Sequence, residues 1–148
     1  MIFFLDENLH VKIVPDILRK AGLEVEQHKD HFEQGLDDTI WIPEVARRRW
    51  IAVTLDVNTR KALVEVRAII SSKARVIQMI PGKNANHTKH ANNFLNTFEE
   101  IKLFMAKHQP PYVVMLNRPD KVEDLNNGFP GKLTLMDLNS ALRKRRAR

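Results

Sequence analysis

The sequence predicts an α/β domain in which helices cover both faces of a mainly parallel sheet, a three-layer α/β/α fold with a small β extension towards its C-terminal end. Short apolar runs alternate with amphipathic segments of helical period as far as about residue 80, a pattern typical of parallel sheets. The chain has 148 residues, of which 43% are hydrophobic, and this suits one domain with its own core. Neither an internal repeat nor a linker marks a second domain.

The first part of the chain has three predicted strand–helix pairs. Each strand is a short run rich in β-branched or aromatic residues, and each helix has apolar residues three and four positions apart. The predicted strands are residues 1–5, 23–28 and 50–55, and the predicted helices are residues 11–21, 39–49 and 58–72. Gly22 is the expected stop of the first helix, and Asn58 or Thr59 the expected cap of the third. Pro43 fits the second helix only near its first turn or at a bend.

The second part closes the sheet. Residues 74–80 form the fourth predicted strand, and residues 87–108 form one long helix whose inner stripe includes Phe94 and Ile101. Two final strands are predicted at residues 112–118 and 132–138.

These elements divide the single domain, residues 1–148, into three parts. Residues 1–80 carry the acidic strand ends, residues 81–140 carry the closing helix and strands, and residues 141–148 are a basic tail. For the tail, a disordered solvated end and a polyanion-binding segment are both open.

Composition excludes several classes of protein. The chain has no cysteine, which excludes disulfides and Cys-ligated zinc or iron–sulfur sites. It has no apolar run of about 18 residues that would span a membrane, and its N-terminus lacks the basic leader of a signal peptide. We therefore expect a soluble cytoplasmic protein. The basic excess after residue 60, which includes the final RKRRAR, favours a polyanionic partner.

Acidic residues are predicted to meet at one edge of the sheet. Asp6 follows the first strand, Asp56 follows the third, and Asp37 and Asp38 lie where the second helix opens. Ligands of parallel sheets gather beyond the carboxyl ends of the strands. Clustered carboxylates repel one another unless a cation neutralises them, and oxygen ligands favour Mg²⁺ or Mn²⁺. The alternative is that the helix-opening acids are caps and Asp56 is a turn residue.

Two stretches, FFLDENL (residues 3–9) and HFEQGLDDTIWIPEVARRRWIAVTLDVNTR (residues 31–60), resemble the PIN-like domains of VapC-type toxins, in particular the short PIN-like variety. The resemblance covers residues 2–80 in order and spacing. It implies a PIN-like, Rossmann-like fold and a Mg²⁺- or Mn²⁺-dependent endoribonuclease, usually the toxin of a type II toxin–antitoxin pair.

The resemblance also implies which residues do the chemistry. Carried over position by position, the catalytic and metal-binding acids are Asp6, Asp38 and Asp56, and Glu7 is a further candidate ligand. Asp38 is preferred to Asp37 because it occupies the motif position before TIW. Fuller PIN domains use four acids, so this chain carries a reduced set.

Other residues are candidates for binding RNA. Those predicted to contact RNA or its phosphates are Asn8, His31, Arg60 and Lys83. The implied partners are RNA and a protein antitoxin, and a homodimer is a further expectation. Two alternatives stay open at this stage: a receiver-like switch that accepts a phosphoryl group at Asp56, and a catalytically inactive PIN-like binding module.

Overall fold

The computed structural model describes residues 1–9, 12–55, 62–84 and 86–146. Their six strands form one sheet in the order β2-β1-β3-β4-β5-β6. The first five strands are parallel, and β6 pairs antiparallel with β5. The strands are β1 (Ile2–Leu5), β2 (Glu24–Gln27), β3 (Ile51–Leu55), β4 (Arg75–Met79), β5 (Tyr112–Asn117) and β6 (Lys132–Leu135). The mainly parallel sheet with a small C-terminal β extension is confirmed.

Seven α-helices connect and cover these strands in the described part of the chain. They are α1 (Ile13–Lys20), α2 (Asp38–Arg47), α3 (Ala62–Ser72), α4 (His87–Asn96), α5 (Phe98–Lys107), α6 (Val122–Asn126) and α7 (Leu138–Arg146). Short 3-10 helices follow β1 at Glu7–Leu9 and β2 at His28–Asp30. No helix among the residues described has the length and apolar content needed to cross a bilayer.

The sheet has a hydrophobic core on each face, because alternate strand residues point to opposite sides. On one face, Phe3 and Leu5 pack with residues of α1, α4 and α5. On the other face, Phe4 packs with residues of α2 and α3, and Leu138 of α7 lies against the same cluster. Two buried faces covered by helices make the fold a three-layer one.

Local signals place several helix ends. Gly22 follows α1 with a φ of 92°, a conformation that glycine adopts without strain. Asp37 caps α2, accepting a hydrogen bond from the Thr39 amide at 2.9 Å. Pro43 lies inside α2, beyond the first turn, where its ring nitrogen has no hydrogen to donate to the helix.

The single long helix predicted for residues 87–108 is wrong, since the chain forms α4 and α5 with Thr97 between them. Thr97 is fully buried. Its hydroxyl donates to the Asn93 carbonyl at 2.7 Å and accepts from the Gly131 amide at 2.8 Å. A threonine that bonds back to the preceding turn disturbs a helix, and here a distant segment fixes it in that state.

The ends of the second half also differ in detail from the prediction. The connection between the last two strands contains the short helix α6. Residues 141–146 of the basic tail belong to α7, so the disordered end that one alternative allowed does not apply to them. Residues 147–148 lie outside the described part of the chain.

Candidate active site

Asp6 lies at the carboxyl edge of the sheet, beside the ends of two neighbouring strands. Leu5 is paired with Val53 on one side and with Gln27 on the other, and the Asp6 amide donates to the Val53 carbonyl at 3.0 Å. The register therefore places Thr54 and His28 next to Asp6.

The Asp6 carboxylate is partly buried and held by two hydrogen bonds. Oδ1 accepts from the Glu7 amide at 2.7 Å, and Oδ2 accepts from the Thr54 hydroxyl at 2.9 Å. Burial raises the pKa of Asp6 above its ordinary value, and the negative charge of Asp38 adds to this. The two hydrogen bonds and the nearby His28 act in the opposite direction without cancelling the rise. The ionised form of Asp6 is therefore in an unfavourable environment.

Asp38 is the second acid that the structure brings to this edge. It is the first residue of α2, and its Oδ1 accepts from the Trp41 indole Nε1 at 2.7 Å. The capping role belongs to its neighbour Asp37, which binds both the amide and the hydroxyl of Thr39. Asp38 is close enough to Asp6 to raise the pKa of that group, so two carboxylates from separate elements are electrostatically coupled.

Asp56 and Arg60 lie outside the described residues. The described part of β3 ends at Leu55, and the Asn8 side chain binds both the carbonyl and the amide of that residue. The Asn8 Nδ2 donates to the Leu55 carbonyl at 2.8 Å, and the Leu55 amide donates to the Asn8 Oδ1 at 3.3 Å. Asn8 thus holds the chain one residue before Asp56.

A complete metal centre is not formed by the described residues alone. Among them, no three Asp, Glu or His side chains come together in an arrangement that would hold a metal ion. The convergence of Asp6, Asp38 and Asp56 therefore stays a prediction, of which the Asp6–Asp38 coupling is the described part.

Glu7 makes contacts that differ from those expected of a metal ligand. Its Oε1 accepts a hydrogen bond from the Gly35 amide, in the loop that leads to α2. The same oxygen lies 3.5 Å from the Nδ1 of His28. Glu7 therefore connects the end of β1 to a loop 28 residues further along the chain.

Sequence reasoning missed His28, which is only 1% exposed. Its ring lies among Phe4, Phe32 and Trp41, with centroid distances of 6.0, 5.5 and 5.9 Å. Within the described residues, neither ring nitrogen has a hydrogen-bond partner. The available signal was its place at the end of the second predicted strand, since Asp6 directly follows the end of the first predicted strand.

His31 is occupied by neighbouring side chains. Its Nε2 lies 2.8 Å from a carboxylate oxygen of Glu26, and its Nδ1 is 3.2 Å from an Arg48 nitrogen. These contacts tie β2 to the end of α2. The structure gives His31 a role in joining elements, so it offers no support for a phosphate contact there.

Lys83 is exposed after β4, at the same edge of the sheet as Asp6. Its carbonyl accepts from the Arg118 guanidinium at 3.0 Å. Lys83, Arg118 and Lys132 line a cleft of about 440 Å³ beyond β4 and β5. Lys132 is paired with Asp120 at 3.2 Å, and both side chains are largely exposed, an arrangement that contributes little to stability. The cleft is therefore a basic surface next to the acidic edge.

Comparison with known proteins gives a family for this chain. Residues 1–80 match the model of the family described as "PIN like domain". A curated protein of Mycobacterium tuberculosis, described as "Putative ribonuclease VapC45", is 32% identical over 77 residues, which are 49% of this chain and 56% of that protein. The chain thus spans about half the length of the curated relative it matches. No solved structure matches the chain.

Proposed function

Because the chain belongs to the PIN-like domain family, we propose that it is a Mg²⁺- or Mn²⁺-dependent endoribonuclease whose metal ligands are Asp6, Asp38 and Asp56. The observation that carries the proposal is that Asp6 and Asp38, from separate elements, come together at the carboxyl edge of the sheet, where burial and then the charge of Asp38 raise the pKa of Asp6. A divalent cation relieves repulsion of this kind. Carboxylate oxygens are also the ligand type that Mg²⁺ and Mn²⁺ prefer.

The chain's own residues fix the acids before any metal binds. Thr54 and the Glu7 amide hold both oxygens of Asp6, and the Trp41 indole holds Asp38. Asn8 fixes the end of β3 that leads into Asp56. When bound at these acids, the metal supplies a more acidic water as the nucleophile and stabilises charge on the leaving oxygen. Preorganisation of this kind lowers the cost of assembling the site.

The basic cleft of Lys83, Arg118 and Lys132 supports RNA as the substrate. Cations beside the acidic edge attract a phosphodiester backbone without reading its sequence. Arg60 stays a predicted phosphate contact, and the basic residues after Leu142 add charge in α7. His31 and Asn8 stay predicted RNA contacts, and their polar atoms bind other parts of the protein.

Partners follow from the same proposal. The similarity to a protein described as a VapC ribonuclease supports a toxin of a type II toxin–antitoxin pair, with a protein antitoxin as partner. A homodimer and a cytoplasmic location stay predictions.

Because the chain belongs to the PIN-like domain family, we do not propose the receiver-like switch as its function. An inactive PIN-like binding module is the second candidate. It is favoured by the reduced set of acids that this chain carries relative to fuller PIN domains.

Adjacent acids provide the test. Mutating a residue that orients a metal ligand typically costs roughly 10–100-fold in activity. Because Asp38 is itself a proposed ligand, Asp38→Asn should reduce RNA cleavage in Mn²⁺ by more than this. Asp37→Asn is the matched control, because it removes the same charge one residue away and asparagine is an equally good helix cap. Cleavage by the parent protein should stop in EDTA. Equal rates for the two variants would show that Asp38 is not part of the site, and RNA binding without cleavage by the parent would favour the inactive module.

A further inference from the structure

We propose that Glu7 is a positioning residue that ties the loop before Asp38 to the end of β1, and that it is not a metal ligand. The inference rests on the proposed function, since the residue whose position it sets is Asp38 of the proposed metal site. It gives Glu7, the second acid of the DEN triplet (residues 6–8), a different role from that of Asp6.

The loop offers Glu7 a backbone donor that has no use within the loop itself. Residues 33–36 form a turn in which the Leu36 amide donates to the Glu33 carbonyl at 3.2 Å. Gly35, at the third position, has a φ of 80°, as a type II turn requires. The amide at that position takes no part in the turn's own hydrogen bond, and it donates to the Glu7 Oε1. A carboxylate acceptor makes this a charge-assisted bond, which is stronger than a neutral one.

His28 lies close to the same oxygen without a hydrogen bond to it. Its Nδ1 lies 3.5 Å from the Glu7 Oε1, and the ring is fixed by its contacts with Phe32 and Trp41. Phe32 opens the loop, and Trp41 is the residue whose indole binds Asp38. The loop therefore contacts His28 at its start and just beyond its end, and Glu7 at its turn.

The geometric consequence concerns the distance between two acids on different elements. Asp6 is fixed by the sheet, whereas Asp38 depends on where the loop delivers the start of α2. Gly35 is three residues before Asp38, so a bond from Glu7 to Gly35 fixes the loop close to that acid. The Glu7 Oε1 is already engaged by Gly35, so a ligand role for Glu7 would fall to its Oε2.

Three variants test the proposal through Mn²⁺ affinity, measured by calorimetry without RNA. Glu7→Ala removes the acceptor, and Glu7→Gln keeps an oxygen acceptor for Gly35 but loses the charge that a ligand needs. Glu33→Ala is the matched control, because it removes an exposed carboxylate from the same turn. We expect a loss of roughly 10–100-fold for Glu7→Ala, with affinities near the parent's for Glu7→Gln and Glu33→Ala.

A second readout needs no metal. The chain has five glycines, so the Gly35 amide can be followed by NMR. It should exchange slowly with solvent in the parent and in Glu7→Gln, and quickly in Glu7→Ala. Thermal unfolding shows whether Glu7→Ala remains folded.

The outcomes separate the inference from the proposed function. Equal losses of Mn²⁺ affinity in Glu7→Gln and Glu7→Ala would overturn the inference in favour of a ligand role, and an unprotected Gly35 amide in the parent would overturn it outright. A third outcome is that the parent binds no Mn²⁺, while the Gly35 amide exchanges slowly in the parent and in Glu7→Gln but quickly in Glu7→Ala. In that case the proposed metal site fails and the tie between Glu7 and the loop stands.

Discussion

Replacing Asp6 with asparagine should stabilise the metal-free protein and remove its response to Mn²⁺. The folded-state pKa of Asp6 lies above its ordinary value of 3.8, chiefly because of burial and then because of Asp38. A carboxyl with a raised pKa binds its proton more tightly when folded. Its ionisation therefore destabilises the fold as pH rises from about 3.8 to the folded-state pKa. Above that pKa the full cost is present.

The size of the effect follows from the linkage. Each unit of upward shift corresponds to about 1.4 kcal/mol, and for a chain of this length 1 kcal/mol moves the Tm by roughly 2–4 °C. The amide oxygen of the substituted side chain can still accept from Glu7, and the Thr54 hydroxyl can rotate to accept from the amide nitrogen. We therefore expect Asp6→Asn to raise the Tm in EDTA at pH 7, by roughly 2–4 °C for each kcal/mol of the cost that it relieves.

Mn²⁺ should reverse the order of the two proteins. A ligand present at 100 times its Kd stabilises the protein that binds it by about 2.7 kcal/mol. The parent should therefore gain roughly 5–10 °C in Mn²⁺, and Asp6→Asn should gain little. Scanning calorimetry in EDTA and in Mn²⁺ measures both effects, with Asp30→Asn, an exposed acid on another element, as the control. An Asp6→Asn protein that melts below the parent in EDTA, or that gains as much in Mn²⁺, would refute the reasoning.

Further predictions concern residues around the acids. Asn8→Ala removes both bonds to the end of β3, and it should cost roughly 1–3 kcal/mol in urea unfolding as well as weaken Mn²⁺ binding. Trp41→Phe keeps a smaller aromatic ring but loses the donor to Asp38, so Mn²⁺ affinity should fall roughly tenfold. An unchanged affinity would mean that the indole bond does not orient the acid. Lys83→Gln should reduce the slope of log affinity for single-stranded RNA against log salt by about 0.7, measured in EDTA by fluorescence anisotropy. Lys107→Gln, at the opposite edge of the sheet, should leave that slope unchanged.

The sheet was predictable because its signals are local. Each buried run, such as the one ending at Leu5 or at Leu55, stops where the chain turns towards a helix, and the alternation of strands and helices dictates parallel pairing. The resemblance of the first 80 residues to PIN-like domains rests on the same local stretches, and the family match confirms it. The choice of Asp38 over Asp37 came from its place in a motif, and the structure gives the capping role to Asp37.

What sequence reasoning missed depends on contacts between distant residues. Threonine occurs within many helices, so the sequence around Thr97 does not mark a helix end. Only the bond from the Gly131 amide, 34 residues away, shows why the helix breaks there. His28 continues an alternating strand pattern, and its burial comes from Phe32 and Trp41, which arrive after the strand has ended. The contacts of Glu7 are equally non-local, so no pattern in the DEN triplet separates a ligand from a positioning residue.

The DEN triplet at the end of β1 connects the three elements on which the proposed site depends. Asp6 presents its own carboxylate from the sheet, Asn8 binds the backbone of Leu55 next to Asp56, and Glu7 holds the loop that delivers Asp38. Three consecutive side chains thus contact the elements that carry or precede the proposed acids. A site organised in this way needs little rearrangement to bind a metal. The cost in the metal-free protein is the burial of the Asp6 carboxylate together with its repulsion from Asp38, which is why Asp6→Asn should be the more stable protein until Mn²⁺ is added.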